Sequence, residues 1–214
     1  RSFISQNANL SVFVRDIPVA GDSSDTSLEG GVSLRGIGVA GSSTALQAPF
    51  DRIGAHYPNT NFAPFVESAF ARVHNAFGRS VTITAGQQPF LLGSGLLLSD
   101  DGVGMAGVSV LGTLPWGGLK AGGFAFQPRN AQDRSNSLVV YGALLELPLE
   151  GTWQLNYLAE RDKTGAGQTA ADGVPISQAN RHFASLRYQI AYGPVVFDGE
   201  GAVRAAPKHD AHAV

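Results

Sequence analysis

Residues 137–161 read SLVVYGALLELPLEGTWQLNYLAER, a pattern that predicts two strands folded back on each other through Glu150-Gly151. In the second arm Trp153, Leu155, Tyr157 and Ala159 alternate with Thr152, Gln154, Asn156 and Glu160. Successive side chains of a strand point to opposite faces, so one face here is apolar and the other polar. Such a strand separates two different solvents. Whether its apolar face meets a protein core or lipid decides both the fold and the function.

The composition leans towards the second possibility. Charged residues make up 15% of the 214, against the roughly 25% usual for a soluble domain, and glycine is high at 27. The net charge of -2 supplies no basic footprint for nucleic acid, which is not expected as a partner. Cysteine is absent, which removes disulfides, thiolate metal sites and thiol catalysis. The chain opens on Arg1 with no charged-then-apolar leader behind it, the appearance of a processed chain or a fragment. No apolar run approaches the length of a transmembrane helix. A chain of this kind crosses a bilayer only as a closed sheet, because every backbone donor and acceptor at that depth needs a partner.

Working outward from the hairpin, the same alternation recurs. NLSVFVRD (9–16) and SLEGGVSLRGIGVAG (27–41) are strand-like, with Leu28, Val32 and Leu34 opposing Ser27, Glu29, Ser33 and Arg35. Residues 42–61 carry Pro49, Pro58 and Asn59 and read as a loop. The segment 62–77 is ambiguous. Phe62, Phe65, Val66, Ala69, Phe70 and Val73 fit a helical stripe capped by Asn61 and Gly78, whereas FVESAFARVH also alternates with period two. The strand reading is preferred, since a strand can pair with VTITAGQQPF across the short turn at 75–80. Strands GMAGVSVLGT and LKAGGFAFQ follow around a turn at 114–118, and NRHFASLRYQIAY and VVFDGEGAVRA around Gly193-Pro194.

The connections alternate in length. Short turns lie at 75–80, 114–118, 150–151 and 193–194, and longer loops at 91–103, 128–136 and 162–179. Short turns at one end and long loops at the other are the habit of transmembrane barrels, whereas a Greek-key sandwich has no reason to sort them. The expected fold is therefore all-β: an antiparallel up-and-down transmembrane β-barrel, with about ten strands in this chain, alone or as part of a larger barrel. It is expected to occupy residues 1–206, with 207–214 as a flexible tail.

The run ESAFARVHNAFGRSVTITAGQQPFLLGSGLLLSDDG (67–102) resembles outer-membrane porins of the alginate-export-like group. Asn75-Ala76-Phe77-Gly78 stands where these porins carry a short turn, and Gly86-Gln87-Gln88-Pro89-Phe90 where they carry a "GRQ.F..G.GLL" pattern. Gln87 takes the place of a frequent arginine, and the chain ends in Ala213-Val214 where such barrels commonly end on an aromatic residue. The resemblance implies a bacterial outer-membrane location and more strands than ten.

On a barrel the polar face lines a lumen. Parity assigns Arg35, Thr82, Thr84, Gln88, Gln154, Asn156, Glu160, Arg187, Gln189, Asp198, Glu200 and Arg204 to it, and Arg72 if its segment is a strand. The lining is mixed in sign, which gives a moderate field and weak charge selectivity. A soluble sheet would expose the same residues to water. Trp116, Trp153, Tyr157, Tyr188 and Tyr192 are expected in two aromatic girdles at headgroup level. Core packing is the alternative reading of those rings.

Other motifs carry less. The GSG at 93–95 and DDG at 100–102 lack the Lys-Ser/Thr of a phosphate loop and the ligand ladder of a calcium loop, so they read as a surface loop, or as one folded inward to narrow a pore. His209 and His212 beside Asp210 have metal-ligand spacing but sit in the tail with Pro207. His56, His74 and His182 are isolated, and no nucleophile motif surrounds them.

The expected function is a passive outer-membrane channel for small hydrophilic solutes or ions, not an enzyme, with no metal or cofactor. Its expected partners are outer-membrane lipid, the solutes, and further copies or a larger complex. The alternatives are a barrel sheathing a partner such as an electron-transfer protein, a soluble β-sandwich or barrel that binds a ligand, and a barrel hydrolase.

Overall fold

The computed structural model describes residues 4–19, 25–40, 62–100, 102–115, 117–128, 138–162 and 179–205. The chain runs as β1 (Ile4–Pro18), β2 (Ser27–Ala40), β3 (Phe62–His74), β4 (Val81–Gln88), β5 (Leu91–Leu92), β6 (Leu98–Ser99), β7 (Met105–Thr113), β8 (Lys120–Gln127), β9 (Leu138–Leu149), β10 (Gly151–Asp162), β11 (Ala179–Tyr192) and β12 (Val195–Ala205). All but β5 and β6 join one antiparallel sheet of ten strands in the order β1-β2-β3-β4-β7-β8-β9-β10-β11-β12. Each strand of this meander pairs with its neighbour in sequence.

The ambiguous segment 62–77 is strand as far as His74, followed by a single 3-10 turn at Ala76–Gly78. Pairing explains the outcome. Val73 to Ala69 align with Ile83 to Gln87 on one side and Leu28 to Val32 on the other, so the segment hydrogen-bonds along both edges, which a helix there would forgo. A bulge shifts the register between Ser33 and Leu34. Where β3 then parts from β4, the Gln87 amide fills the gap and donates to the carbonyls of Val66 (2.7 Å) and Val103 (2.8 Å).

The hairpin 138–162 has the predicted turn, with Gly151 at φ 87 and Trp153 opposite Leu147. Among the described residues, the turns at 75–80, 150 and 193–194 lie along one edge of the strands, and the last residues of β2, β4, β8 and β10 lie along the other. The expectation of a plain loop over 91–103 is corrected. Leu91–Leu92 and Leu98–Ser99 pair as a small hairpin, which lies on the polar face of the sheet.

The ten strands do not close on themselves. β1 and β12 each have one neighbour, so the sheet is open at both edges. Ten strands pair in sequence, and nothing in either edge strand's alternation dictates pairing between β1 and β12. The loop expected at 42–61, Trp116, the middle of the other two long loops and the tail 207–214 lie outside the described residues.

Candidate functional site

The registers divide the sheet into two chemically distinct faces. Gln154 aligns with Glu146 and Arg187, Arg187 with Glu200, Gln189 with Asp198, and Glu160 with Arg181. Lys120, opposite Glu146, carries the same face to Thr113 on β7; along β7 Leu111 and Ser109 carry it to Thr82 and Thr84, and Thr84 carries it to Arg72. The sequence-derived set (Arg35, Arg72, Thr82, Thr84, Gln88, Gln154, Asn156, Glu160, Arg187, Gln189, Asp198, Glu200 and Arg204) thus shares one face. Asn156 is 0% exposed, whereas its neighbour Leu155 on the other face is 50% exposed.

Charges on the polar face are paired across strands. Glu29 receives Arg72 (3.2 Å), His74 (2.9 Å) and Arg15 (3.5 Å); Arg35 meets Glu67 at 2.9 Å, Lys120 meets Glu146 at 2.7 Å, and Arg181 meets Glu160 at 3.1 Å. Arg187 holds Asp198 through two donors. Partly exposed pairs of this kind contribute a few tenths to about 1 kcal/mol each, so their main effect is on local potential rather than stability. Between them lie hydroxyls and amides. Arg72 donates to Thr84 (3.0 Å), Ser109 donates to Gln88 (2.9 Å), and the Ser11 and Ser33 hydroxyls meet at 2.8 Å.

One stretch of this face is apolar, and sequence reasoning missed it. Phe124, Phe126, Val140 and Leu158 occupy polar-face positions and, with Met105, receive Leu92 of the small hairpin, which is 0% exposed. Phe90 packs at a tilt against Phe124 and Phe126, with centroids 4.8 and 4.6 Å apart. Two glycines make room. A Cβ on Gly142 would lie 2.7 Å from Cζ of Phe124, and one on Gly107 would lie 2.6 Å from Cδ1 of Phe126. The available signal was the coincidence of an unusually apolar loop, LLGSGLLL, with apolar residues breaking the polar rows of three successive strands.

Beyond its apolar seat the hairpin is latched by polar groups. The Ser94 backbone N–H donates to Glu200 at 2.7 Å, and the Ser94 and Ser185 hydroxyls both donate to the same carboxylate. Arg187 donates to the Gly93 carbonyl at 2.9 Å. Gly93 sits at φ 68, with its Cα so near Glu200 that a Cβ would lie within 2.6 Å of the carboxylate Oε2. Asn156 donates to Ser185 at 3.0 Å behind this latch, and its Oδ1 is buried with no protein partner. The DDG element does less: Asp100 accepts from the Gly102 N–H in a turn.

The other face is apolar and exposed. Leu10, Val12 and Val14 on β1, Val32 and Leu34 on β2, Val108 and Val110 on β7, Leu186 on β11 and Val203 on β12 all face outward, Val203 at 70% exposure. Trp153 packs on Tyr188 at 4.4 Å, and Tyr188 on Phe197 at 6.3 Å, near the short-turn edge, with Tyr192 at the turn itself. Tyr157 lies nearer the long connections, its hydroxyl 2.8 Å from Nδ1 of His182. His74 is engaged with Glu29, and His56, His209, Asp210 and His212 lie outside the described residues. Among the described residues no group of three His, Asp or Glu side chains is placed to hold a metal ion. The described sheet is thus a two-faced antiparallel meander, with one face polar and ion-paired and the other apolar. No family model, curated protein or solved structure matches the chain.

Proposed function

We propose that this sheet is the wall of an outer-membrane β-barrel channel, through which small hydrophilic solutes or ions diffuse passively. The observation that carries this reading is the inversion at 155–156: a leucine half in the open beside an asparagine wholly enclosed. In water that arrangement is costly, since about 25 cal/mol is lost for each Å² of apolar surface left wet. In hydrocarbon the cost disappears, and the polar face becomes the side that needs water. An exposed apolar surface running from Leu10 to Val203 also far exceeds the isolated patches that monomeric soluble proteins carry.

The open edges fit the same reading. Unpaired backbone groups on β1 and β12 cannot rest in lipid, so further strands complete the barrel through both edges. The similarity of residues 67–102 to alginate-export-like porins supports the same class. The latched hairpin then narrows the lumen, and the paired charges leave the passage with a modest net field. The test is reconstitution into planar bilayers, where discrete ion-conducting steps are expected. A purified protein that remains dispersed in water without detergent contradicts the reading.

A further inference from the structure

On the outward face of β9, β10 and β11, the registers set three rows side by side near the long connections. Val139, Arg161 and Asn180 form the outermost row, Tyr141, Ala159 and His182 the next, and Ala143, Tyr157 and Ala184 the third. Ala159 is a buried floor, 1% exposed, and around it stand the large side chains of Tyr141, Tyr157, His182 and Arg161. The Tyr157 hydroxyl engages His182 Nδ1, which leaves Nε2 of the imidazole on the opposite side of the ring.

Across β7 to β12, the outward rows otherwise consist of apolar, glycine and amide residues, and Arg161 is the one permanently charged group among the described residues there. No outward carboxylate in those strands accompanies it. The short-turn end of the same strands carries Trp153, Tyr188 and Phe197 and no cation. From Trp153 to Arg161 the strand rises about 26 Å, or about 20 Å along the bilayer normal at the usual tilt, which is close to the height of a lipid-facing apolar band. An arginine at that height is in place to meet headgroups, and its chemistry favours phosphate over a zwitterion's balanced charge.

We propose that this rim, Arg161 with His182, Tyr141 and Tyr157, is a docking surface for the phosphate of an anionic lipid headgroup. The inference rests on the lipid-facing reading of the apolar side and goes beyond it by giving the two rims different lipid preferences. The guanidinium pairs with the phosphate, the tyrosine and imidazole groups supply hydrogen bonds, and the acyl chains run down over the apolar rows below.

The protein is reconstituted in vesicles of phosphatidylcholine containing a minor fraction of phosphatidylglycerol, extracted in mild detergent, and its retained lipids are counted by native mass spectrometry. Phosphatidylglycerol enrichment is expected, falling about fivefold in Arg161→Gln, the loss expected for one basic residue at an anionic surface. Arg161→Lys should restore most of it, and Arg79→Gln at the opposite edge should leave it unchanged. Equal retention of both lipids, or enrichment indifferent to Arg161→Gln, in a protein that does enter vesicles overturns this proposal alone. A protein that never enters vesicles overturns it together with the channel reading. Displacement of the lipid by inorganic phosphate at buffer concentration also overturns it, in favour of a free-anion site.

Discussion

The backbone N–H of Ser94 donates to the carboxylate of Glu200 at 2.7 Å across 106 residues of sequence, from a hairpin between β4 and β7 to the last strand of the sheet. That contact ties the hairpin across the polar face while Leu92 anchors it in the apolar seat. A charged acceptor with three donors is worth more than an ordinary hydrogen bond, about 1.5–3 kcal/mol where it is withdrawn from water. Glu200→Ala should therefore loosen the hairpin without unfolding the sheet. Amide hydrogen exchange at Ser94 and Gly95 is expected to accelerate, and single-channel conductance to rise. Unchanged exchange there would show that the latch does not hold the hairpin.

Leu92→Ala tests the other anchor. Truncating a side chain wholly enclosed by Phe124, Phe126, Val140, Leu158 and Met105 should destabilise the seated hairpin by about 2–4 kcal/mol. The expected signature is proteolytic nicking between Leu92 and Leu98 in folded protein that resists cleavage elsewhere.

Gly93→Ala separates strain from contact. Gly93 and Gly117 both have positive φ, 68 and 63, so alanine costs each about 1 kcal/mol in backbone strain. At Gly117 nothing lies within 4 Å of the added methyl, but at Gly93 it meets the Glu200 carboxylate. Gly93→Ala should speed exchange at Ser94 as much as Glu200→Ala does, and Gly117→Ala should leave it unchanged.

Glu29 neutralises a basic cluster on the polar face, with Arg15, Arg72 and His74 around it. Glu29→Gln leaves those groups unopposed. In bilayers under a potassium chloride gradient the reversal potential should shift towards anion selectivity, and the shift should shrink as salt is raised and screening shortens. A shift towards cations would contradict the placement of this cluster beside the ion path.

Much of the sheet was legible because its signal is strictly local. The alternation at 152–160 fixes which side chains share a face, and the tight turn at Glu150, with Gly151 opposite Leu149, fixes the register. The β3 segment was harder, because its phenylalanines satisfy both periods, and pairing with β2 and β4 decides between them. The hairpin seat escaped notice for a different reason. Leu158 beside Asn156 looks like noise in a polar row until Leu92 is brought to it from more than sixty positions away. Likewise Gln87, where the porin pattern has arginine, proves to bridge backbone carbonyls at a strand separation that no local pattern encodes.

The central claim is that the apolar face meets hydrocarbon and the polar face meets water. Because the chain has no cysteine, single cysteines can be placed at will. Nitroxide labels at 154, 155, 186, 187, 203 and 204 in reconstituted vesicles report collision with oxygen, which concentrates in lipid, or with a water-soluble nickel chelate. Labels at 155, 186 and 203 should favour oxygen and those at 154, 187 and 204 the chelate, a period of two along each strand. Chelate access at Leu155, Leu186 and Val203 matching that at their polar neighbours would contradict the account.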